Sequence, residues 1–294
     1  MSRIVDIFGN PITRSAEYHV FHDESEPDKR WLLIGLLFVQ AHHLNDARSE
    51  LQGFREIENY HGEIHFSALP KSFGGKWGAK ARVAEAWLDN YQSSLNDRVF
   101  FSALAVDRQS PRYERKRFSK EFHAYNRFTA MALKAGITWH LGPRELDKLV
   151  IHFVSDDKYR TTRPDKGMID NFEAYIPYRA GLDSFLSQSQ GEHYPDVTLT
   201  LELCDSAQED LLQFTDLLLG ACQVALVARA NRLTKRTLGE YVVRWNYDLK
   251  KPPWQQRFKL FRKFNFWGFP DENGRAYSNV PLKLHIDDGQ LTLF

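Results

Sequence analysis

Four acidic positions in this 294-residue chain stand next to apolar runs rather than in polar surroundings. Asp23 follows the run YHVFH, Glu63 opens EIHF, Asp156 and Asp157 follow LVIHFVS, and Asp216 interrupts the leucines of DLLQFTDLLLGA. Several carboxylates carried by different elements are what a hard divalent cation needs, because Mg²⁺ and Mn²⁺ prefer oxygen ligands. Two such ions can steady both the attacking and the leaving oxygen of a phosphodiester. The ends of strands are suitable mounts for such groups. Asp156 and Asp157 remain alternatives, since one residue along a strand moves a side chain to the opposite face. Asp107, which ends VFFSALAVD, is a further acidic strand end and a further candidate. His22 and His65 flank the acidic positions, where an imidazole can orient a phosphate or carry a proton, although a strand histidine is more often a packing residue.

Strand-like and helix-like segments alternate along the chain, which predicts a mixed α/β layer. Apolar runs at 18–22, 31–39, 99–106, 149–154 and 197–203 read as strands, the first two joined as a hairpin and the second central. Helical spacing covers 44–58, 79–95, 118–135 and 167–189, and EIHF (63–66) reads as extended. In the last helix of this part, Glu209, Gln213, Asp216, Gly220 and Gln223 form a narrow polar stripe, and Ser206 with Glu209 predicts a capping box at its start. The plain account of that stripe is a face turned to water. The glycine-rich SFGGKWGAK lacks the spacing of a phosphate-binding loop, leaving Lys76 as a backbone-contacting cation or part of a simple connection.

The order of these motifs resembles the DUF3800 family of ribonuclease H-like proteins. "HDES" is similar to the family's DESG opening, "GEIHFSAL" to its ELK segment, "IHFVSDD" to its acidic strand end, and "CDSAQEDLLQFTDLLLGA" to its closing element, over roughly residues 18–226. The resemblance implies an RNase H-like mixed sheet flanked by helices. It further implies a two-ion Mg²⁺ or Mn²⁺ site held by Asp23, Glu63, Asp156 and Asp216, with Glu24 and Asp205 as assistants, and a nuclease acting on DNA or RNA. His65 stands where the family has a lysine, and is carried as a catalytic candidate. Glu26 and Thr215 also depart from the pattern, but no carboxylate is lost.

Lys and Arg total 39 against 38 Asp and Glu, yet the balance is uneven. Between 229 and 263 eleven basic residues face only Glu240 and Asp248, so a basic stretch of nine net charges follows an acidic body. Within it RFKLFRKFNFWGF (257–269) interleaves cations with rings, and Arg257, Lys259, Arg262 and Lys263 are candidates for nucleic-acid binding. The competing expectation is that Phe258, Phe261, Phe264 and Trp267 dock on the main body. The last five residues, QLTLF, resemble the bacterial sliding-clamp-binding peptide, with Gln290, Leu293 and Phe294 as anchors. A terminal hairpin through Asp288-Gly289 is the other reading. The expected organisation is therefore an RNase H-like domain over 1–230, a basic extension over 231–289 and a clamp-binding peptide over 290–294.

Two cysteines without metal-ligand spacing exclude a zinc site and a disulfide framework. The longest apolar run is nine residues and the first residues lack a signal peptide's order, so a cytoplasmic protein is expected. The functional expectation is a phosphodiester-cleaving enzyme recruited to the clamp, in a setting such as defence against phage. A non-catalytic nucleic-acid-binding or clamp-associated adaptor is the alternative.

Overall fold

The computed structural model describes residues 13–114, 118, 120–157 and 170–286. Strands β1 (Ser15–Ser25), β2 (Trp31–Gln40) and β3 (Val99–Asp107) form an antiparallel meander. On the other side of β1, β4 (Lys148–Asp156) and β5 (Asp196–Cys204) are added in parallel. β6 (Phe264–Phe269) runs parallel to β3, and the short β7 (Tyr277–Ser278) closes that edge. The order is β5-β4-β1-β2-β3-β6-β7. A 5-4-1-2-3 core in which only β2 is reversed is the RNase H-like arrangement, as the sequence led us to expect.

Helices cover both faces. α1 (Leu44–Ile57), α2 (Ala79–Ser93), α5 (Asp210–Val227) and α6 (Leu233–Asp248) share one core with Phe21, Leu33 and Leu37. On the opposite face, α3 (Glu121–Gly136) and α4 (Phe172–Ser189) pack over Val20, Ile34 and Phe38. β2 is thus covered on both sides, which explains why its sequence is a continuous apolar run rather than an alternation. α5 crosses it at Gly35, where a Cβ would come within 3.2 Å of Leu219. α5 is long and apolar enough to cross a membrane, but 83% of it is buried inside the protein.

Several elements differ from the sequence expectation. β1 continues to Ser25, so Asp23 lies within the strand rather than ending it. Residues 63–66 are extended at His65 but pair with no strand, and a 3-10 turn over Phe66–Ala68 follows. The expected Ser206 cap is replaced: Asp205 caps a short turn at Ser206–Gln208, and Glu209 caps α5 by accepting the Leu211 N–H at 3.1 Å. Asp216 therefore sits less than two turns into the helix.

The basic extension expected from 231 onward is built into the same body. α6 packs against α5, Trp245 is fully buried against Phe264 and Tyr91, and β6 widens the sheet. Phe264 and Trp267 are buried core residues, so docking accounts for them; Phe258 is half-buried and Phe261 remains 42% exposed. The spacing of three reflects a loop followed by a strand, not a helix face. The clamp-peptide positions Gln290, Leu293 and Phe294 lie outside the described residues.

One buried group couples this packing to pH. His140 stacks between Phe38 and Phe100, and its Nδ1 lies 2.7 Å from the carbonyl of Arg262, which fixes it as the donor there. Burial holds its pKa down to about 4 from the ordinary 6.5. The unfolded chain therefore binds the extra proton between those values, and the contribution present above pH 6.5 is lost as pH falls towards 4. Unfolding experiments should show stability declining over that window by up to about 3 kcal/mol from this group, with a shallower slope in His140→Gln.

Candidate active site

Asp23, Glu63, Asp156 and Asp216 line one small cavity, together with His22, His65, Ser206 and Gln213. The space open to the centre of a water molecule there is about 20 Å³, room for one or two waters or ions. The four carboxylates come from β1, the 63–66 segment, the last residue of β4 and α5. Asp23 is 6% exposed, Asp156 and Asp216 are half-buried, and Glu63 is exposed at the mouth.

Alternation along the strands decides which acids face this way. Phe21 and Val154 belong to the core on the α5 side, so Asp23 and Asp156, two residues further along each strand, share that face. Asp157 lies beyond the strand and does not line the cavity, whereas Asp156 does. Asp107 is taken by Arg30, whose Nε and Nη2 donate to its two oxygens at 3.0 and 2.6 Å; it is structural. Asp205 spends an oxygen on the Ala207 N–H at 2.9 Å and does not line the cavity.

The stripe on α5 faces inward, against a strip of backbone rather than water. Gln213 Oε1 accepts the Ile64 N–H at 2.7 Å, and Asp216 Oδ2 accepts the Phe66 N–H at 2.6 Å. These two acceptors, three residues apart on the helix, match donors two residues apart on an extended chain. Gln213 Nε2 also donates to the Ser206 carbonyl at 2.8 Å, joining the segment to the loop before α5. Gly220 completes the fit, since the Phe66 ring occupies the space a Cβ would take, 2.1 Å away. Gln223, at the end of the stripe, accepts from Ser25 Oγ at 2.8 Å.

Arg55 reinforces this from α1. It is 4% exposed and its guanidinium donates to Asp210 Oδ1 at 2.9 and 2.6 Å, to Gln213 Oε1 at 2.7 Å and to the Gly62 carbonyl at 2.7 Å. Neither Gln213 as a clamp nor Arg55 stood out in the sequence. The polar stripe pointed to Gln213, but nothing local marked Arg55.

His22 is buried, with Nδ1 2.9 Å from Ser155 Oγ, as a packed histidine is expected to be. Glu24 lies 3.6 Å from its Nε2 and is absent from the cavity wall. His65 is different. Its Nδ1 accepts the Ser67 N–H at 3.1 Å, so its proton sits on Nε2 in the neutral ring. Nδ1 is also 3.5 Å from Asp216 Oδ2, close enough for an ion pair only if the ring is protonated.

Of the basic candidates, Lys76, Arg257 and Lys259 are exposed. Arg262 donates to the Trp139 carbonyl at 2.8 Å, and Lys263 is held by Asn96 at 2.7 Å and by Asp97. β6, which follows them, lies three strand positions from β1, so this part of the tract is not at the cavity. The cations beside it are two that the sequence did not single out, Arg232 and Lys235 near the start of α6. Arg232 donates to the carbonyls of Ser67 and Leu69, and Lys235 donates to Ser67 O at 3.1 Å with its ammonium 5.0 Å from the Phe66 ring. Burial and the neighbouring Arg232 charge lower the Lys235 pKa, partly offset by Asp216.

The donor chemistry, all carboxylate oxygen, fits a hard divalent cation. In position the set is less complete: among the described residues no three His, Cys, Asp or Glu side chains stand together as a ready metal-binding group. Asp216 gives one oxygen to Phe66 N–H, and Asp156 gives one to Ser206 N–H at 3.2 Å. Each carboxylate has a second oxygen.

No protein-family model matches the chain, and no curated protein does. Solved structures similar to it include RNase HII of Archaeoglobus fulgidus in a complex with PCNA, at 11% identity and a TM-score of 0.34 over 81% of this chain and 91% of that one. Ribonuclease H2 of Pyrococcus horikoshii gives 10%, 0.36, 82% and 92%, respectively. Bst-RNase HIII in complex with Mn²⁺ gives 11%, 0.28, 71% and 62%. Overlaps this low leave strand order and direction to carry the fold assignment.

Gly220→Ala should force Phe66 and the segment before it off α5. The expected result is a loss of about 1–3 kcal/mol in denaturant unfolding, with accelerated proteolysis near residues 60–70.

Proposed function

We propose that this protein is a metal-dependent nuclease that hydrolyses phosphodiester bonds of nucleic acid at the Asp23–Glu63–Asp156–Asp216 cavity. The observation that carries the reading is the convergence of four carboxylates, remote in sequence, on one cavity, with Lys235 near enough to Asp216 to sense its charge. Acids do not gather in a part-buried site without something to offset their repulsion. Asp23, Asp156 and Asp216 would hold divalent cations, Mg²⁺ or Mn²⁺, with Glu63 turning in from the mouth. Bound there, such ions supply Lewis acidity and a nucleophile-generating charge for phosphodiester hydrolysis.

The chain's own groups have separable tasks. Lys235 and Arg232 flank the cavity on the side of Asp216 and offer positive charge to a phosphate. Their engagement with the carbonyls of 67–69 fixes them to the same segment that carries Glu63. His65, exposed and with its proton on Nε2, can donate to a phosphate or leaving oxygen. Asp23, nearly excluded from solvent, forms the innermost wall of the cavity, where a bound cation would offset the cost of burying its charge. The exposed Lys76, Arg257 and Lys259 extend a nucleic-acid-binding surface beyond the site.

Membership of the DUF3800 family, recruitment to a sliding clamp through Gln290, Leu293 and Phe294, and a role in phage defence belong to this reading on sequence resemblance. They are separable from the chemistry.

Purified protein incubated with labelled single- and double-stranded DNA and RNA should cut at least one of them with Mn²⁺ or Mg²⁺ and none with EDTA. Asp23→Asn and Asp216→Asn should each lower the rate by roughly a hundredfold or more, beyond the effect of removing a group that only orients a ligand. Metal-independent cleavage, or full activity in both variants, would reject the assignment; binding without cleavage would favour the adaptor. Lys235→Ala should weaken substrate binding chiefly at low salt, checked by the slope of log affinity against log salt.

A further inference from the structure

A larger cavity than that of the carboxylates lies on the α3–α4 side of the sheet and has a volume of about 780 Å³, within the range of small-ligand sites. Three elements wall it. Arg127 and Lys134 contribute from one stripe of α3, Arg179 from α4, and Trp267 and Tyr277 from the β6–β7 edge. Asp183, the one acidic residue in its wall among the described residues, is spent on Arg179, which donates to both its oxygens at 3.1 and 2.8 Å. The other charged side chains in the wall are basic and most of the rest is apolar or aromatic, with Arg262 4.8 Å over the Trp139 ring.

Two further observations mark this wall as a binding surface for a planar group. Trp139 and Trp267 both line the cavity, with their indole nitrogens buried away from it. Trp267 is only 5% exposed and offers the cavity a small part of its ring. Trp139 also sits in a π-helical turn, Ile137–Leu141, that extends α3. Such turns are unfavourable in themselves and recur at functional sites.

We infer that this cavity is a nucleotide-binding site, in which a base meets the Trp139, Trp267 and Tyr277 rings while a phosphate meets the cations of α3 and α4. Planar rings favour a flat aromatic group, and the net positive charge of the wall favours an anion. A nucleoside phosphate combines these properties. The same chemistry is offered by a free mononucleotide and by the terminal nucleotide of a strand. The site is on the opposite face of the sheet from α5, so its occupancy stands independently of the carboxylate cavity.

Calorimetric titration of the full chain with the four ribonucleoside 5′-monophosphates, inorganic phosphate and a 5′-phosphorylated dinucleotide tests this. At least one mononucleotide, or the dinucleotide if the natural source is a strand end, should bind saturably with one site per chain. Inorganic phosphate should bind at least about tenfold more weakly, because it lacks the base. Ala135→Trp, which fills the cavity, and Arg127→Glu, an exposed change that leaves the core alone, should each weaken binding by about tenfold or more, while Asp23→Asn should not. Absence of binding by every nucleotide, phosphate binding as tightly as nucleotide, or unchanged affinity in Arg127→Glu and a folded Ala135→Trp would each overturn the inference.

Discussion

An extended stretch of backbone that joins no sheet still needs acceptors for its N–H groups. In this protein the need is met by side chains of a buried helix, and that pairing arranges everything around the acidic cavity. Gln213 and Asp216 take the N–H groups of Ile64 and Phe66. Because alternate residues of an extended chain point to opposite sides, fixing the donors of residues 64 and 66 also fixes where Glu63 and His65 are presented. Asp216 thereby has two uses, as a clamp through one oxygen and as a cavity wall through the rest of its carboxylate. A leucine at either helix position would leave a buried donor unmet and the segment free to leave.

That clamp is held in turn by charge. Arg55 reaches from α1 into a region where it is almost fully buried, and its donors are distributed over Asp210, Gln213 and the Gly62 carbonyl. A buried guanidinium is tolerable only when its donors are satisfied. Here the partners are the parts that have to be brought into register: the first turn of α5, its clamping amide and the start of the Glu63 segment. The Trp87 ring, 5.1 Å from the guanidinium, closes the remaining side. Positive charge one layer behind the cavity is thus bound up in architecture, whereas Lys235 and Arg232 supply it at the rim.

The basic C-terminal part illustrates how composition and placement diverge. Its net charge suggested a single surface for a polyanion. In the structure its rings complete two cores, Lys263 and Arg262 are tied to Asp97 and to the Trp139 carbonyl, and Arg236 and Arg244 share Glu240. What is left is divided between the carboxylate cavity, the exposed Arg257 and Lys259, and the wall of the large cavity on the other face. One tract serves both faces because β6 lies in the sheet itself.

The mixed sheet, the central β2 and the acidic ends of β1 and β4 were legible in the sequence, because apolar runs of strand length and their polar endings are local signals. Asp23, Glu63, Asp156 and Asp216 were picked out by motif order, and the choice of Asp156 over Asp157 awaited the strand alternation. The start of α5 was misplaced, since Glu209 and Ser206 both have cap chemistry and only the backbone path selects one. Arg55, Lys235 and the inward use of the polar stripe were not legible at all: Arg55 is 158 residues from Gln213 and Lys235 is 168 from Ser67. Local pattern fixes which residues are apolar, extended or helical, whereas which donor meets which acceptor across such separations is decided by the packing of helices on the sheet.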